Sequence, residues 1–92
     1  MVQEKDWRLE NAAFLKGATL VRRRWQAPRQ DWDHDHCVAC WAKLAEFGGP
    51  GVHREGYATT ADHTRGEGYY WICPQCFLDL QEELQWRWRS DA

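Results

Sequence analysis

Cys37-Val38-Ala39-Cys40 and Cys73-Pro74-Gln75-Cys76 contain every cysteine of this 92-residue chain. A gap of two residues lets both sulfurs of a pair reach one tetrahedral ion, with metal–sulfur distances of about 2.3 Å. Two such pairs complete a closed shell of four thiolates, which leaves no coordination position for a substrate. The spacing therefore predicts one structural zinc site, and its ligands are Cys37, Cys40, Cys73 and Cys76.

The spacer between the two pairs, residues 41–72, is longer than the spacer of the short four-cysteine fingers. It has room for a β-hairpin, and residues 56–60 and 69–73 have the composition of its two strands. From Pro74 onward the pattern predicts a helix. The apolar stripe of this helix consists of Phe77, Leu80, Leu84 and Trp88. We expect an α+β fold: a small zinc-stabilised treble-clef-like domain with a β-hairpin and a C-terminal helix.

The region before the first pair contains a helix pattern followed by a strand pattern. Residues 6–16 have helix-forming composition, and Gly17 is the expected stop. Residues 18–25 alternate as a strand with one buried face does, and Pro28 ends them. For residues 41–47, after the first pair, a short helix and a strand fit equally well.

The size of the chain bounds its organisation. A chain of 92 residues forms one domain that buries little apolar surface, and zinc binding contributes directly to the folding of such a domain. We expect a single zinc-binding domain over 1–92. It has an N-terminal helix and strand at 6–26 and a zinc-binding core at 31–89.

The second cysteine pair also supports a redox interpretation. Cys73-Pro74-Gln75-Cys76 opens the predicted helix, and thioredoxin-type dithiols lie at such a position. Those proteins need a βαβ framework, which this length and pattern do not show. Structural zinc is therefore favoured, with redox or disulfide use as the alternative.

The composition indicates a globular protein of the cytoplasm. Hydrophobic residues make up 43% and charged residues 28%, which excludes a chain disordered throughout. No stretch is apolar enough to span a bilayer, and residues 1–6 lack the hydrophobic region of a signal peptide. In the cytosol thiols stay reduced and available to zinc.

The charge argues against a general nucleic-acid binder. The formal net charge is −2, and ligation of zinc by four thiolates makes it more negative, whereas phosphate binding needs a basic surface. Arg22, Arg23 and Arg24 beside Trp25 are the local exception, because such a basic aromatic patch can hold single strands. A nucleic-acid-binding zinc ribbon that uses these residues is the alternative function. The simpler interpretation is an exposed strand with solvated arginines.

Seven tryptophans are too many for one small core. Exposed tryptophan together with arginine is typical of protein interfaces. On a helix that continues past Leu84, Trp86 lies opposite the apolar stripe. We expect Trp86 to be exposed and to bind a partner protein, with Arg22–Arg24 and Trp25 as further contacts. The alternative is a helix end that is covered on both faces.

His34 and His36 immediately precede Cys37. Either could replace a cysteine as ligand or donate a hydrogen bond to the ligating sulfurs. Because four cysteines in two pairs are already present, we expect both histidines to support the ligands or simply to lie at the surface.

An enzymatic alternative is a nuclease of the His-Asn-His type, since Asp62-His63 precedes Cys73 in a similar order. The only asparagine is Asn11, far from that order, and Phe77 stands where such enzymes carry histidine. The catalytic set is incomplete, so no enzyme activity is expected.

Three stretches of this sequence resemble a group of small, functionally uncharacterised bacterial proteins with paired Cys-x-x-Cys motifs. They are Trp32-Asp33-His34-Asp35-His36-Cys37-x-x-Cys40-Trp41-Ala42-Lys43, Glu55-Gly56-Tyr57 and Trp71-Ile72-Cys73-x-x-Cys76-Phe77. The resemblance covers about residues 7–88 and implies a bacterial cytosolic zinc protein. Small bacterial binders of this size include immunity proteins and antitoxins. We therefore expect a non-enzymatic, zinc-binding protein-interaction module, with inhibition of a partner as an immunity protein or antitoxin as the finer hypothesis.

Overall fold

The computed structural model describes residues 6–90, which form an α+β fold as predicted. The elements in chain order are α1 (Trp7–Ala12), a 3₁₀ turn (Ala13–Leu15), β1 (Thr19–Arg24), β2 (His34–His36), β3 (Lys43–Ala45), β4 (Val52–His53), β5 (Glu55–Thr59), β6 (Trp71–Ile72), α2 (Pro74–Leu84) and β7 (Arg87–Ser90). None of the helices within 6–90 has the length and hydrophobicity that a bilayer-spanning segment needs.

The N-terminal helix begins and ends at local sequence signals. The side chain of Asp6 accepts a hydrogen bond from the Arg8 N–H at 3.0 Å and so pairs a donor that the first turn leaves free. Gly17 has a φ of 78°, which glycine adopts without the clash of a Cβ atom. The predicted stop at Gly17 is confirmed, and Ala12 and Leu15 are buried on the inner side.

Four strands form the main sheet in the order β6-β5-β1-β7. β5 and β6 are the predicted hairpin and pair antiparallel, with Tyr57 opposite Ile72. β1 pairs antiparallel with β5 and parallel with β7, and Leu20 lies opposite Thr59 on one side and Trp88 on the other. The outer side of β7 is an edge of the described sheet.

A smaller sheet has the strand order β2-β3-β4. It includes part of residues 41–47, for which the sequence fitted a helix and a strand equally well. β3 takes up part of residues 41–47, so this segment is a strand, and it pairs antiparallel with β2. The two sheets approach closely at Gly56, where an added Cβ would lie 2.8 Å from Leu44 Cδ2 and 2.7 Å from the Ile72 carbonyl oxygen. Glycine is therefore required at the point where the sheets meet.

The main sheet is covered on both faces. Phe77 of α2 stacks on Tyr57, with ring centroids 3.7 Å apart, while Gly56 on the opposite face contacts the smaller sheet. Neighbouring residues of β1, Leu20 and Val21, are consequently both buried. Successive side chains of a strand point to opposite faces, so both faces of β1 are buried in its N-terminal half. The prediction of a strand with one buried face was therefore wrong for that half.

α2 is shorter than predicted, because the chain leaves the helix at Gln85. This residue has a left-handed φ of 57°, and its N–H bonds to the carbonyls of Gln81 and Glu82. The Arg87 N–H then bonds to the Ala18 carbonyl at 3.1 Å, and the chain continues as β7 alongside β1. The predicted helical continuation to Trp88 was wrong, since pairing with an available sheet edge outweighs a weak local helix preference.

The early end of α2 changes the position of Trp86, which is 4% exposed. Its ring stacks on Phe77 with centroids 5.9 Å apart, and its Nε1 donates to the Leu15 carbonyl at 2.9 Å. The expectation that Trp86 is exposed was wrong, because the opposite-face argument holds only on a continuous helix. Trp88, which was placed on the buried stripe, is 45% exposed.

Candidate metal centre

The two cysteine pairs reach one point because β6 connects them. Cys37 and Cys40 lie in the turn between β2 and β3, where the Trp41 N–H bonds to the Cys37 carbonyl at 2.8 Å. The Val38 N–H bonds to the carbonyl of Trp71, two residues before Cys73. Cys73 is the N-cap of α2, and its sulfur accepts from the Cys76 N–H at 3.5 Å.

The four sulfur atoms form a cluster that can hold a metal ion. All four Sγ atoms lie within 4.8 Å of one another, and those of Cys40 and Cys73 are 3.7 Å apart. A tetrahedral ion with sulfur ligands at 2.3 Å has sulfur–sulfur edges of about 3.8 Å. Cys37, Cys73 and Cys76 are buried, and Cys40 is half-buried. The cluster therefore fits a closed tetrahedral site.

The same arrangement bears on the redox alternative. All four cysteines are free thiols. A redox dithiol needs two sulfurs, and the second pair alone would supply them. Convergence of the first pair on the same point is a feature that a shared ion requires and a two-cysteine redox centre does not.

The electrostatics of the cluster favour a cation at its centre. Hydrogen bonding from the Cys73 thiol, and to a smaller extent from the Cys76 thiol, stabilises the Cys37 thiolate and lowers the pKa of Cys37 to about 2. The same bonding to the Cys37 thiolate raises the pKa of Cys73 to about 12 and also raises the pKa of Cys76. A thiolate at Cys37 thus makes ionisation of the Cys73 and Cys76 thiols less favourable. A bound metal ion removes this opposition because it stabilises every thiolate at once.

Arg8 of α1 is a part of the centre that the sequence analysis missed. Its Nη1 lies 3.6 Å from Cys76 Sγ and 3.0 Å from Asp79 Oδ2, and its Nη2 lies 2.7 Å from Asp6 Oδ2. These partners, Asp6 foremost, raise the pKa of Arg8 further above its ordinary value, so the guanidinium stays charged. A fixed positive charge beside the cluster offsets the net negative charge of four thiolates on a divalent ion.

A second contact joins α1 to the first cysteine pair. Asn11 Nδ2 donates to the carbonyl of Ala39, between Cys37 and Cys40, at 2.9 Å. Together with the Arg8 contact, this bond fixes the N-terminal helix to both halves of the cluster. No local pattern signals either contact, since the partners are far apart in the chain.

No protein-family model, curated protein or solved structure matches this chain. The functional interpretation therefore depends on the geometry of the site and of the surfaces around it.

His34 and His36 directly precede the first cysteine pair, but the described contacts include no hydrogen bond from them to its sulfurs. His34 Nδ1 lies 2.6 Å from Asp33 Oδ1, and the two imidazole rings contact each other edge to face at 4.9 Å. Among residues 6–90, the hydrogen bonds that reach cysteine sulfurs from other residue types come from Arg8 and not from these histidines. Of the two expected roles, the described contacts show no hydrogen bond from either histidine to a sulfur, and His36 is exposed at the surface.

The basic aromatic patch expected on β1 is not formed. Arg22 pairs with Glu55 at 3.2 Å and Arg23 with Glu67 at 2.9 Å, while Arg24 is exposed. Trp25 is 1% exposed, and its Nε1 donates to Asp35 Oδ2 at 2.9 Å. The expectation that Trp25 contacts a partner was wrong, because its ring is part of the core.

An exposed aromatic surface lies instead beside the first cysteine pair. Trp41 is 65% exposed and has a left-handed φ of 69°, and Phe14 is 55% exposed. These side chains border a cleft of about 380 Å³. Its lining residues are Asn11, Phe14, His36, Val38, Trp41 and Tyr70. In the sequence, the available signal for this surface was Trp41 itself. It is a bulky residue directly after Cys40, at a position where the turn requires a positive φ.

Proposed function

We propose that this protein is a non-enzymatic, zinc-stabilised module that binds another protein. Four thiolates in a tetrahedral arrangement are the donor set of structural zinc sites. Such a shell is complete, so the ion has no free position for water or substrate. Zinc at Cys37, Cys40, Cys73 and Cys76 would then stabilise the fold and take no part in a reaction.

A treble-clef-like arrangement is the finer fold proposal. The first cysteine pair lies in the turn of the β2–β3 hairpin, and the second pair lies at the first turn of α2, directly after the β5–β6 hairpin. A turn that supplies two ligands and a helix N-terminus that supplies two more are the elements of that design. The order of these elements along the chain supports the proposal.

The conformation of Trp41 is the observation that carries the binding function. A left-handed conformation costs a residue other than glycine about 1–2 kcal/mol. Trp41 bears this cost while most of its ring lies in solvent, so the ring adds little to folding. A strained residue with an exposed aromatic side chain is typical of a binding contact, and tryptophan is a frequent anchor of protein interfaces.

The surroundings of Trp41 favour a protein partner over a nucleic acid. The residues that line its cleft include no lysine or arginine, which phosphate binding would need. Phe14 and Tyr70 contact each other edge to face at 4.8 Å and extend the apolar surface. Inhibition of a partner as an immunity protein or antitoxin remains the finer proposal. It is based on size and composition.

The substitution Trp41→Gly tests this proposal because it removes the ring and the strain together. We expect the variant to be more stable by about 1 kcal/mol, a rise of several degrees in melting temperature, and to lose its partner. Gln85→Gly is the matched control, since Gln85 also has a positive φ but ends a helix elsewhere. It should gain stability and keep the partner.

The partner is identified by affinity capture from the native cell with the zinc-loaded chain, and its affinity is then measured with purified components. Recovery of no stoichiometric protein partner by the wild-type chain would contradict the proposed function. Equal affinity of the wild-type and Trp41→Gly proteins for the purified partner would remove Trp41 from the interface, and with it the observation on which the proposal depends.

A further inference from the structure

The outer side of β7 is an open strand edge. β7 ends the main sheet, and its only pairing among the described strands is with β1. The Arg87 N–H bonds to the Ala18 carbonyl, so the main chain of Arg87 faces β1. Alternate residues of a strand turn their N–H and C=O groups to opposite sides. The main-chain groups of Trp88 therefore face outward, where an added strand can bond to them.

Two arginines of this edge have no acidic partner within the described chain. Arg87 and Arg89 are exposed, and no ion pair joins either one to a carboxylate of residues 6–90. Their neighbours on β1 are Thr19 and Val21, which carry no charge. The arginines of β1 differ, since Arg22 and Arg23 pair with glutamates. Within the described residues, β7 thus combines arginines that pair with no carboxylate and main-chain groups that face outward.

We propose that β7 binds an extended acidic segment of a partner protein, which adds to the main sheet as a further strand. Arg87 and Arg89 point to the same face because they are two residues apart. A partner strand with carboxylates at alternate positions places one carboxylate opposite each arginine, and opposite charges across a strand pair stabilise the pairing. The exposed ring of Trp88 lies on the other face, where it can contact an apolar side chain of that strand.

A second copy of the chain does not fit this edge. In a two-fold symmetric antiparallel pair, residues that oppose each other belong to the same face. Each such pairing of β7 with itself that is centred on Arg87, Trp88 or Arg89 sets arginine opposite arginine, and like charges directly opposite are destabilising. The arginines thus disfavour pairing of β7 with itself and favour an acidic partner. This inference depends on the proposed protein-binding function and adds the chemistry of the bound segment.

The test uses the full zinc-loaded chain and two short labelled peptides, one alternating glutamate with valine and the other alternating lysine with valine. We expect the glutamate peptide to bind at least about tenfold more tightly at low salt, because two cross-strand ion pairs form. Its affinity should fall as salt screens them. In amide exchange followed by NMR, the Trp88 N–H should exchange more slowly once the peptide is bound, because that group becomes hydrogen-bonded.

Two double variants separate strand addition from general charge attraction. Arg87→Glu with Arg89→Glu should reverse the preference toward the lysine peptide. Arg29→Glu with Arg65→Glu makes the same charge change at exposed positions outside β7, and it should retain the preference for glutamate. All proteins are first compared by circular dichroism. We expect the substitutions to leave the fold intact, because all four positions are exposed.

Three results would overturn the inference: no preference between the peptides, a preference that the β7 variant does not reverse, or unchanged exchange of the Trp88 N–H. Any of them would mean that the arginines only protect the edge from pairing. These outcomes are separate from the failure of the proposed function. If the glutamate peptide fails but Trp41-dependent capture of a protein succeeds, only the β7 inference falls.

Discussion

Removal of the Trp86 ring should destabilise the domain more than removal of the neighbouring Trp88 ring. The ring is 4% exposed and stacks on Phe77, and its Nε1 bonds to the Leu15 carbonyl. Truncation of a buried tryptophan to alanine costs about 3–5 kcal/mol. The hydrogen bond lost with the ring costs about 0.5–1.5 kcal/mol more, because the Leu15 carbonyl keeps its bond from the Ala18 N–H at 3.0 Å. Since small domains have only about 5–15 kcal/mol in total, Trp86→Ala should be close to unfolding at room temperature.

Trp86→Phe is the variant that can be measured accurately. It keeps an aromatic ring against Phe77 but is smaller and lacks the hydrogen bond to Leu15, so we expect a loss of about 1–2 kcal/mol. Trp88→Ala is the matched control. Trp88 is 45% exposed, and its ring contacts Tyr57 at 5.8 Å and Phe77 at 6.4 Å, both edge to face. Its loss should therefore cost about 1 kcal/mol or less.

The assay is urea denaturation followed by far-UV circular dichroism, with the same excess of zinc in every sample, because a bound ion shifts apparent stability by mass action. Unchanged slopes allow the midpoints to be compared as free energies of unfolding. If Trp86→Phe unfolds within about 0.5 kcal/mol of the wild type, or if Trp88→Ala is the less stable of the two, the packing argument for the end of α2 is wrong.

Three further predictions concern the metal centre. Elemental analysis should find one zinc per chain and much less metal in Cys37→Ser; equal metal in both proteins would refute the ligand assignment. Chelation should unfold the chain, and stability should also fall as pH falls, because protons compete with the ion for thiolates; an unchanged melt after verified metal removal would contradict this. Arg8→Gln should release zinc to a chelator faster than the control Arg29→Gln, since Arg8 contacts the Cys76 sulfur and Arg29 is exposed elsewhere; equal release rates would exclude a role for Arg8.

Local chemistry in the sequence was enough to determine several parts of this protein. The cysteine spacing predicted a four-sulfur cluster, because each pair needs only one short turn to bring its sulfurs together. Gly17 ended the first helical segment since glycine tolerates positive φ, and Pro74 began α2 where its missing N–H costs nothing. The β5–β6 hairpin followed from two β-type segments separated by a polar turn.

Other features depended on contacts between distant parts of the chain. The end of α2 was decided by the free edge of β1, which drew Arg87–Ser90 into a strand and brought Trp86 into the core. Arg8 and Cys76 are 68 positions apart, so no spacing rule could join them. The charges of β1 were neutralised by glutamates of other segments. Residues near one another in sequence fix turns and caps, but the burial of a ring or the pairing of a charge is set by whichever segment the fold places opposite it.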